Sequence, residues 1–293
     1  MKSLLSGFFL LCCWNMVAQA ETTNSDTIHW YVNNFPPLNI LAGPDRGRGW
    51  GDARIQIVSK RMPAFRHEII ESSGTRMFED MKIKPNVCSP NLFRTIEREA
   101  YIEFSEPFSW IIPNGVLTTR TRYAQLESYL DANGALRLED VLKNGKHKIG
   151  IIASRSYGKG IDTVLKKNAG TPAVVVVPSV NYPAGRLLKL IMQGEYDLIP
   201  GYAVELRYLA REIGLNEKDY VFLTVAEESQ LVPTYVGCSK SELGKRAITA
   251  VNKLIADEQV GKEDAAAYRF WLDDRTSVQY DRLRKQVVLN GGK

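Results

Sequence analysis

Short apolar runs with strand character alternate with amphipathic stretches between residues 29 and 257, and that alternation restricts the chain to layered α/β architecture. A helical bundle or a β-sandwich would carry one period throughout. Residues 29–32 read as a strand ended by Phe35-Pro36-Pro37, and Gly49-Trp50-Gly51-Asp52 precedes an amphipathic helix at 53–61. Asp52 is placed to cap that helix and Pro63 to stop it. Strands follow at 67–70 and 86–88, and residues 110–118 read as one long apolar strand. A second cycle runs through a helix at 138–142, a strand at 148–153, a polar turn at 154–158 and a helix at 161–167. It continues with a strand at 173–177, helices at 184–192 and 204–213, a strand at 233–238 and a helix at 241–257.

Residues 1–20 carry Lys2, an apolar run and then Ala18-Gln19-Ala20, the pattern of a cleaved secretory signal, so the mature chain is expected to begin near Glu21. The apolar run is shorter than the ~20 residues a membrane span needs, and no later stretch is longer. Leu11 and Cys12 precede Cys12 and Cys13, where lipoprotein processing requires a small residue, so no acyl anchor is expected and the product is assigned to the periplasm. Cys88 and Cys238 remain, in a compartment that permits a disulfide; two buried free thiols are the alternative.

Loss of Lys2 with the signal leaves 37 basic against 33 acidic residues, a formal charge of +4. The basic residues are scattered and interrupted by acids, which argues against a nucleic-acid partner. A mature chain of about 273 residues exceeds one ordinary core, so two lobes are expected. The chain divides into 21–118 plus 229–293 for lobe 1 and 119–228 for lobe 2, with two crossovers.

Thr95-Ile96-Glu97-Arg98 stands ahead of Phe104-Ser105-Glu106-Pro107, following the Pro36-Pro37 opening and the Gly49-Trp50-Gly51 turn and preceding Gly194-Glu195-Tyr196-Asp197 and Gly237-Cys238-Ser239-Lys240-Ser241. In that order these motifs resemble the bacterial extracytoplasmic solute-binding proteins of the polar amino acid family. The resemblance covers most of residues 28–257 and implies the type II periplasmic binding-protein fold. It implies a monomer without cofactor that closes on a small carboxylate-bearing ligand and docks on the permease of an ABC-type importer.

A guanidinium presents a planar fork to a carboxylate, and the resemblance makes Arg98 the clamp for the ligand's anion, with Thr95 and Asn91 beside it. Phe35 and Trp50 stand at loops where the family sets a ring against its ligand. On lobe 2, Ser156 and Tyr157 begin a helix whose free N–H groups suit an anion, Arg155 adds charge, and Tyr202 approaches from the other side. Tyr202 occupies the position where amino-acid receptors carry the acid that holds an α-ammonium, which makes amine-free organic or aromatic acids competitive ligands. Glu205, three residues on, reads as a helix-surface residue.

Two alternatives remain open. A sensor of the same fold would dock on a membrane receptor or kinase, with the aromatic tail at 268–284 as a docking surface or as a helix packed on lobe 1. A dehydratase would need a cleft carboxylate, for which Glu227 or Glu228 is available. His29, His67 and His147 are isolated from acids and cysteines at metal-ligand spacing.

Overall fold

The computed structural model describes residues 26–178 and 183–289; the export signal expected at 1–20 lies outside them. Lobe 1 opens with β1 (Thr27–Val32), α1 (Trp50–Arg61), β2 (Arg66–Glu71), α2 (Gly74–Ile83) and β3 (Val87–Leu92). The short α3 (Ile96–Glu99), β4 (Ile102–Phe104) and β5 (Ser109–Ile111) follow. The chain then builds lobe 2 from β6 (Gly115–Thr119), α4 (Arg120–Leu126), α5 (Leu138–Lys143), β7 (Ile149–Ile152), α6 (Lys159–Lys167) and β8 (Val174–Val177). Lobe 2 continues with α7 (Pro183–Met192), β9 (Ile199–Gly201), α8 (Ala203–Glu212) and β10 (Tyr220–Leu223). It returns through β11 (Val232–Ser239), α9 (Glu242–Ile255), α10 (Glu258–Arg269) and α11 (Asp274–Leu289).

The lobe 1 sheet runs β2-β1-β3-β11-β4, with β5 on the same β11; β1 is parallel to β2 and β3, and β11 is antiparallel. The returning strand is thus inserted between strands made before the crossing. Lobe 2 carries the antiparallel set β10-β6-β9 and the parallel pair β7-β8, which Ile149 bridges to Leu198. The single strand expected at 110–118 is split: β5 belongs to lobe 1 and β6 to lobe 2. Pro113 has no N–H for a ladder, and the Ile112 N–H donates to the Tyr268 hydroxyl instead (3.2 Å), so the chain crosses at 112–114, ahead of the expected 119.

Helix α1 begins earlier than its periodicity suggests. Gly49 is the N-cap, and Asp52 sits inside the first turn, accepting from the Gly49 and Ile40 N–H groups and from Asn39. The Trp50 and Gly51 N–H groups donate to the carbonyls of Pro37 and Leu38, so the aromatic loop is laced to the helix start. A Cβ at Gly49 would stand 2.3 Å from the Leu38 oxygen, and only glycine allows that approach.

Arg54 anchors α1 to α10. Its Nε and one terminal nitrogen donate to the two oxygens of Asp264 (2.7 and 3.0 Å), and its other terminal nitrogen serves the Pro90 carbonyl, Asn91 Oδ1 and Thr234 Oγ1. Both partners are almost fully buried, and the guanidinium lies over the Phe108 and Trp50 rings. Cys88 of β3 and Cys238 of β11 are register partners, and their sulfurs are bonded.

The tail packs on both lobes rather than on lobe 1 alone. Trp271 meets Tyr208 of α8 edge-on (5.6 Å) under the Arg211 guanidinium, Arg207 donates to the Phe270 carbonyl, and Gln279 of α11 donates to Thr224. Tyr268 and Tyr280 pack together at 5.0 Å. One apolar cluster therefore runs from Trp50 and Ile111 through these rings to Leu206, Leu209 and Phe222.

Candidate functional site

A cavity of about 300 Å³ lies between the lobes, within the size range of small-molecule sites. Lobe 1 contributes Phe35, Leu38, Trp50, Asn91 and Ile111 to its wall, with Leu92, Phe93 and Thr234 beside them. Tyr202, Val204 and Glu205 come from the start of α8. Phe35 is held by a bridge to Asn39 and by the Leu38 N–H donating to its carbonyl (2.8 Å).

Asn91 reaches the wall because β3 bulges. Tyr235 pairs with Leu92 and Gly237 with Ser89, so Pro90 and Asn91 oppose Val236 alone, and the bulge absorbs the donor that Pro90 lacks. The amide oxygen is the only acceptor on the Asn91 side chain, and Arg54 takes it; the buried Nδ2 has no partner. Trp50 packs edge-on against Tyr268 (5.3 Å), and its buried Nε1–H is also without a partner. Two residues of the wall thus each carry a buried N–H donor that the fold leaves without an acceptor.

On lobe 2, Glu205 is 5% exposed, which corrects the helix-surface expectation. Arg155 donates to both of its oxygens (2.8 and 2.5 Å), and the Tyr202 N–H approaches the second at 3.4 Å. Burial of Arg155 opposes its charge, but the Glu205 hydrogen bonds and charge outweigh this and raise its pKa, so it stays cationic. Burial holds the Tyr202 phenol protonated above its ordinary range, against a smaller opposing effect of Asn114.

Of the residues expected at the site, Phe35, Trp50, Asn91 and Tyr202 line the cavity, and Arg155 touches it through Glu205. Arg98 does not line it. Thr95 Oγ1 caps α3 by accepting the Arg98 N–H (3.3 Å), and from there the Arg98 guanidinium donates to the Phe93 carbonyl (2.8 Å) and lies 4.3 Å from the Phe78 ring centre. The anion expected at the start of α6 is supplied by the protein: Ser156 Oγ donates to one oxygen of Asp162 (2.5 Å) and the Tyr157 N–H to the other (2.8 Å). The Tyr157 hydroxyl is buried and accepts the Ile152 N–H. Glu227 accepts the Leu138 and Glu139 N–H groups and Glu228 the Ile161 N–H, so both candidate catalytic carboxylates cap helices.

Among the described residues no cluster of histidine, cysteine, aspartate and glutamate could hold a metal ion, and no helix is long and apolar enough to cross a membrane. No protein-family model matches the chain, and no curated protein matches it in sequence. Solved structures do. An ancestral cationic amino acid solute-binding protein, AncCDT-1, aligns with a TM-score of 0.61 at 14% identity, over 85% of this chain and 96% of that one. The chain has the two-lobed fold of the type II periplasmic binding proteins. AbpA of Streptococcus pneumoniae, an amino acid ABC transporter substrate-binding protein bound to L-arginine, aligns at 0.54 and 16% identity over 85% and 98% of the two chains. The periplasmic VFT2 domain of Bordetella pertussis BvgS aligns at 0.54 and 15% identity over 84% and 94%. AncCDT-1 is also a precursor of cyclohexadienyl dehydratase.

Proposed function

We propose that the protein is a periplasmic solute-binding protein that captures a small ligand, an amino acid-like compound or an organic or aromatic acid, between its lobes for an ABC-type importer. The observation that carries this reading is the cavity walled by both lobes, because a ligand seated there stabilises the closed arrangement by its differential affinity. Trp50 Nε1–H and Asn91 Nδ2–H serve the ligand's oxygen, Phe35 and Trp50 flank its body, and Tyr202 closes over it from lobe 2. Arg98, half-buried outside the wall, guides the anion toward the cleft rather than clamping it. The test is a thermal-shift screen of refolded, ligand-stripped protein against amino acids, organic acids and aromatic acids. Stabilisation by a small acid, lost in Trp50→Ala, is expected; no stabilisation by any class overturns the reading.

A second reading, a sensor that docks on a membrane receptor or kinase, is supported by the likeness to the VFT2 domain. The two differ in cells. Deleting the protein abolishes uptake of the ligand in the first and leaves uptake intact while removing the response to it in the second.

A further inference from the structure

We infer that the cavity selects ligands that lack an ammonium group, because the one carboxylate in its wall already holds an internal guanidinium. This rests on the reading of the interlobe cavity as the ligand site. Glu205 is the only charged side chain among the described lining residues, and the Arg155 fork occupies both of its oxygens. An ammonium brought to Glu205 would stand against a permanently charged guanidinium, and Arg155 cannot yield by losing its proton.

No other group in the wall replaces Glu205. The Tyr202 phenol is neutral, and the Trp50 ring already faces a cation, Arg54, at 5.5 Å. Phe35, Leu38, Ile111 and Val204 complete an apolar surround that would strip water from an ammonium and return nothing. The unpartnered groups in the wall, Trp50 Nε1–H and Asn91 Nδ2–H, are donors. They accommodate an oxygen acceptor, a carboxylate or an uncharged carbonyl, on an aromatic or aliphatic body.

Calorimetric titration of the ligand-stripped chain with 3-phenylpropionate, 3-phenylpropionamide and L-phenylalanine tests this. The three share a body and differ in charge. At least one amine-free probe is expected to bind about tenfold or more tighter than L-phenylalanine, the acid and the amide separating the carboxylate from the carbonyl source. Binding of L-phenylalanine as tight as or tighter than both overturns the inference while leaving the cleft reading standing, provided Trp50→Ala abolishes it. Binding of none of the three overturns the cleft reading and the inference together. Arg155→Met, which frees Glu205, is expected to shift the preference toward L-phenylalanine by about tenfold; an unchanged preference in a folded variant overturns the internal-guanidinium account. Should that variant not fold, the wild-type comparison decides alone.

Discussion

Each lobe contains an arginine that grips a buried carboxylate through two nitrogens, and the two pairs sit in different surroundings. Arg54 and Asp264 lie in the interior of lobe 1, 0% and 2% exposed, and the other terminal nitrogen of Arg54 finds oxygens on β3 and β11. Arg155 and Glu205 are less enclosed, 20% and 6% exposed, and Glu205 faces the cavity. A guanidinium whose donors are consumed by the fold aligns elements: Arg54 ties α1 to α10 and turns the Asn91 amide. A pair at a cavity wall instead sets what charge the wall presents. The two pairs differ less in burial of the carboxylate than in what it faces, and the selectivity we infer for the second rests on that difference.

The largest expected effect tests the structural member. Arg54→Met leaves Asp264 charged and buried without a partner and is expected to cost about 3 to 5 kcal/mol in chemical denaturation. Arg54→Met with Asp264→Leu should recover most of that, and a double variant as unstable as the single one would break the comparison. Arg155→Met, nearer solvent, is expected to cost about 1 to 3 kcal/mol while altering ligand preference, a combination that Arg54→Met should not show. Equal losses at the two sites would remove the distinction.

Alkaline pH probes the seam between the lobes. Burial raises the ionisation of Tyr202, Tyr220, Tyr268 and Tyr280 above the ordinary tyrosine value near 10. A group with a raised folded-state pKa contributes its full stability below the unfolded value and loses it as pH rises through the folded one. Stability followed by denaturation should therefore be flat below about pH 10 and fall above it, more weakly in Tyr280→Phe. The smallest effect concerns Trp50: Trp50→Phe removes a donor that has no protein partner, so stability should change by less than about 1 kcal/mol while affinity for an oxygen-bearing ligand falls about tenfold.

The layered fold was legible because strand and helix periods differ, and the ring-bearing loops at Phe35 and Trp50 were legible because Pro36-Pro37 and the adjacent glycines mark strand and helix ends. Helix α2 has no clear signal in the sequence, and its start depends on Ser73 accepting the Arg76 N–H. The break between β5 and β6 has no local signal, because Ile112 has strand character and its N–H is bonded to a tyrosine far along the chain. The motif does not fix where Arg98 points: Thr95 caps α3, and the guanidinium lies over Phe78. The Arg155–Glu205 pair joins two elements through tertiary folding alone, and no local pattern announces it: the N-cap is Tyr202, whose side chain does not cap, although the Tyr202 N–H donates to Glu205 at the third position of α8.

The most direct measurement is a crystal structure of the ligand-stripped protein soaked with 3-phenylpropionate. The account predicts density for the ring between Phe35, Trp50 and Tyr202, with a carboxylate oxygen within hydrogen-bond distance of Trp50 Nε1 or Asn91 Nδ2 and the Arg155–Glu205 pair intact. A ligand bound outside the interlobe cavity, or a cavity left empty beside a carboxylate gripped by Arg98, would contradict it.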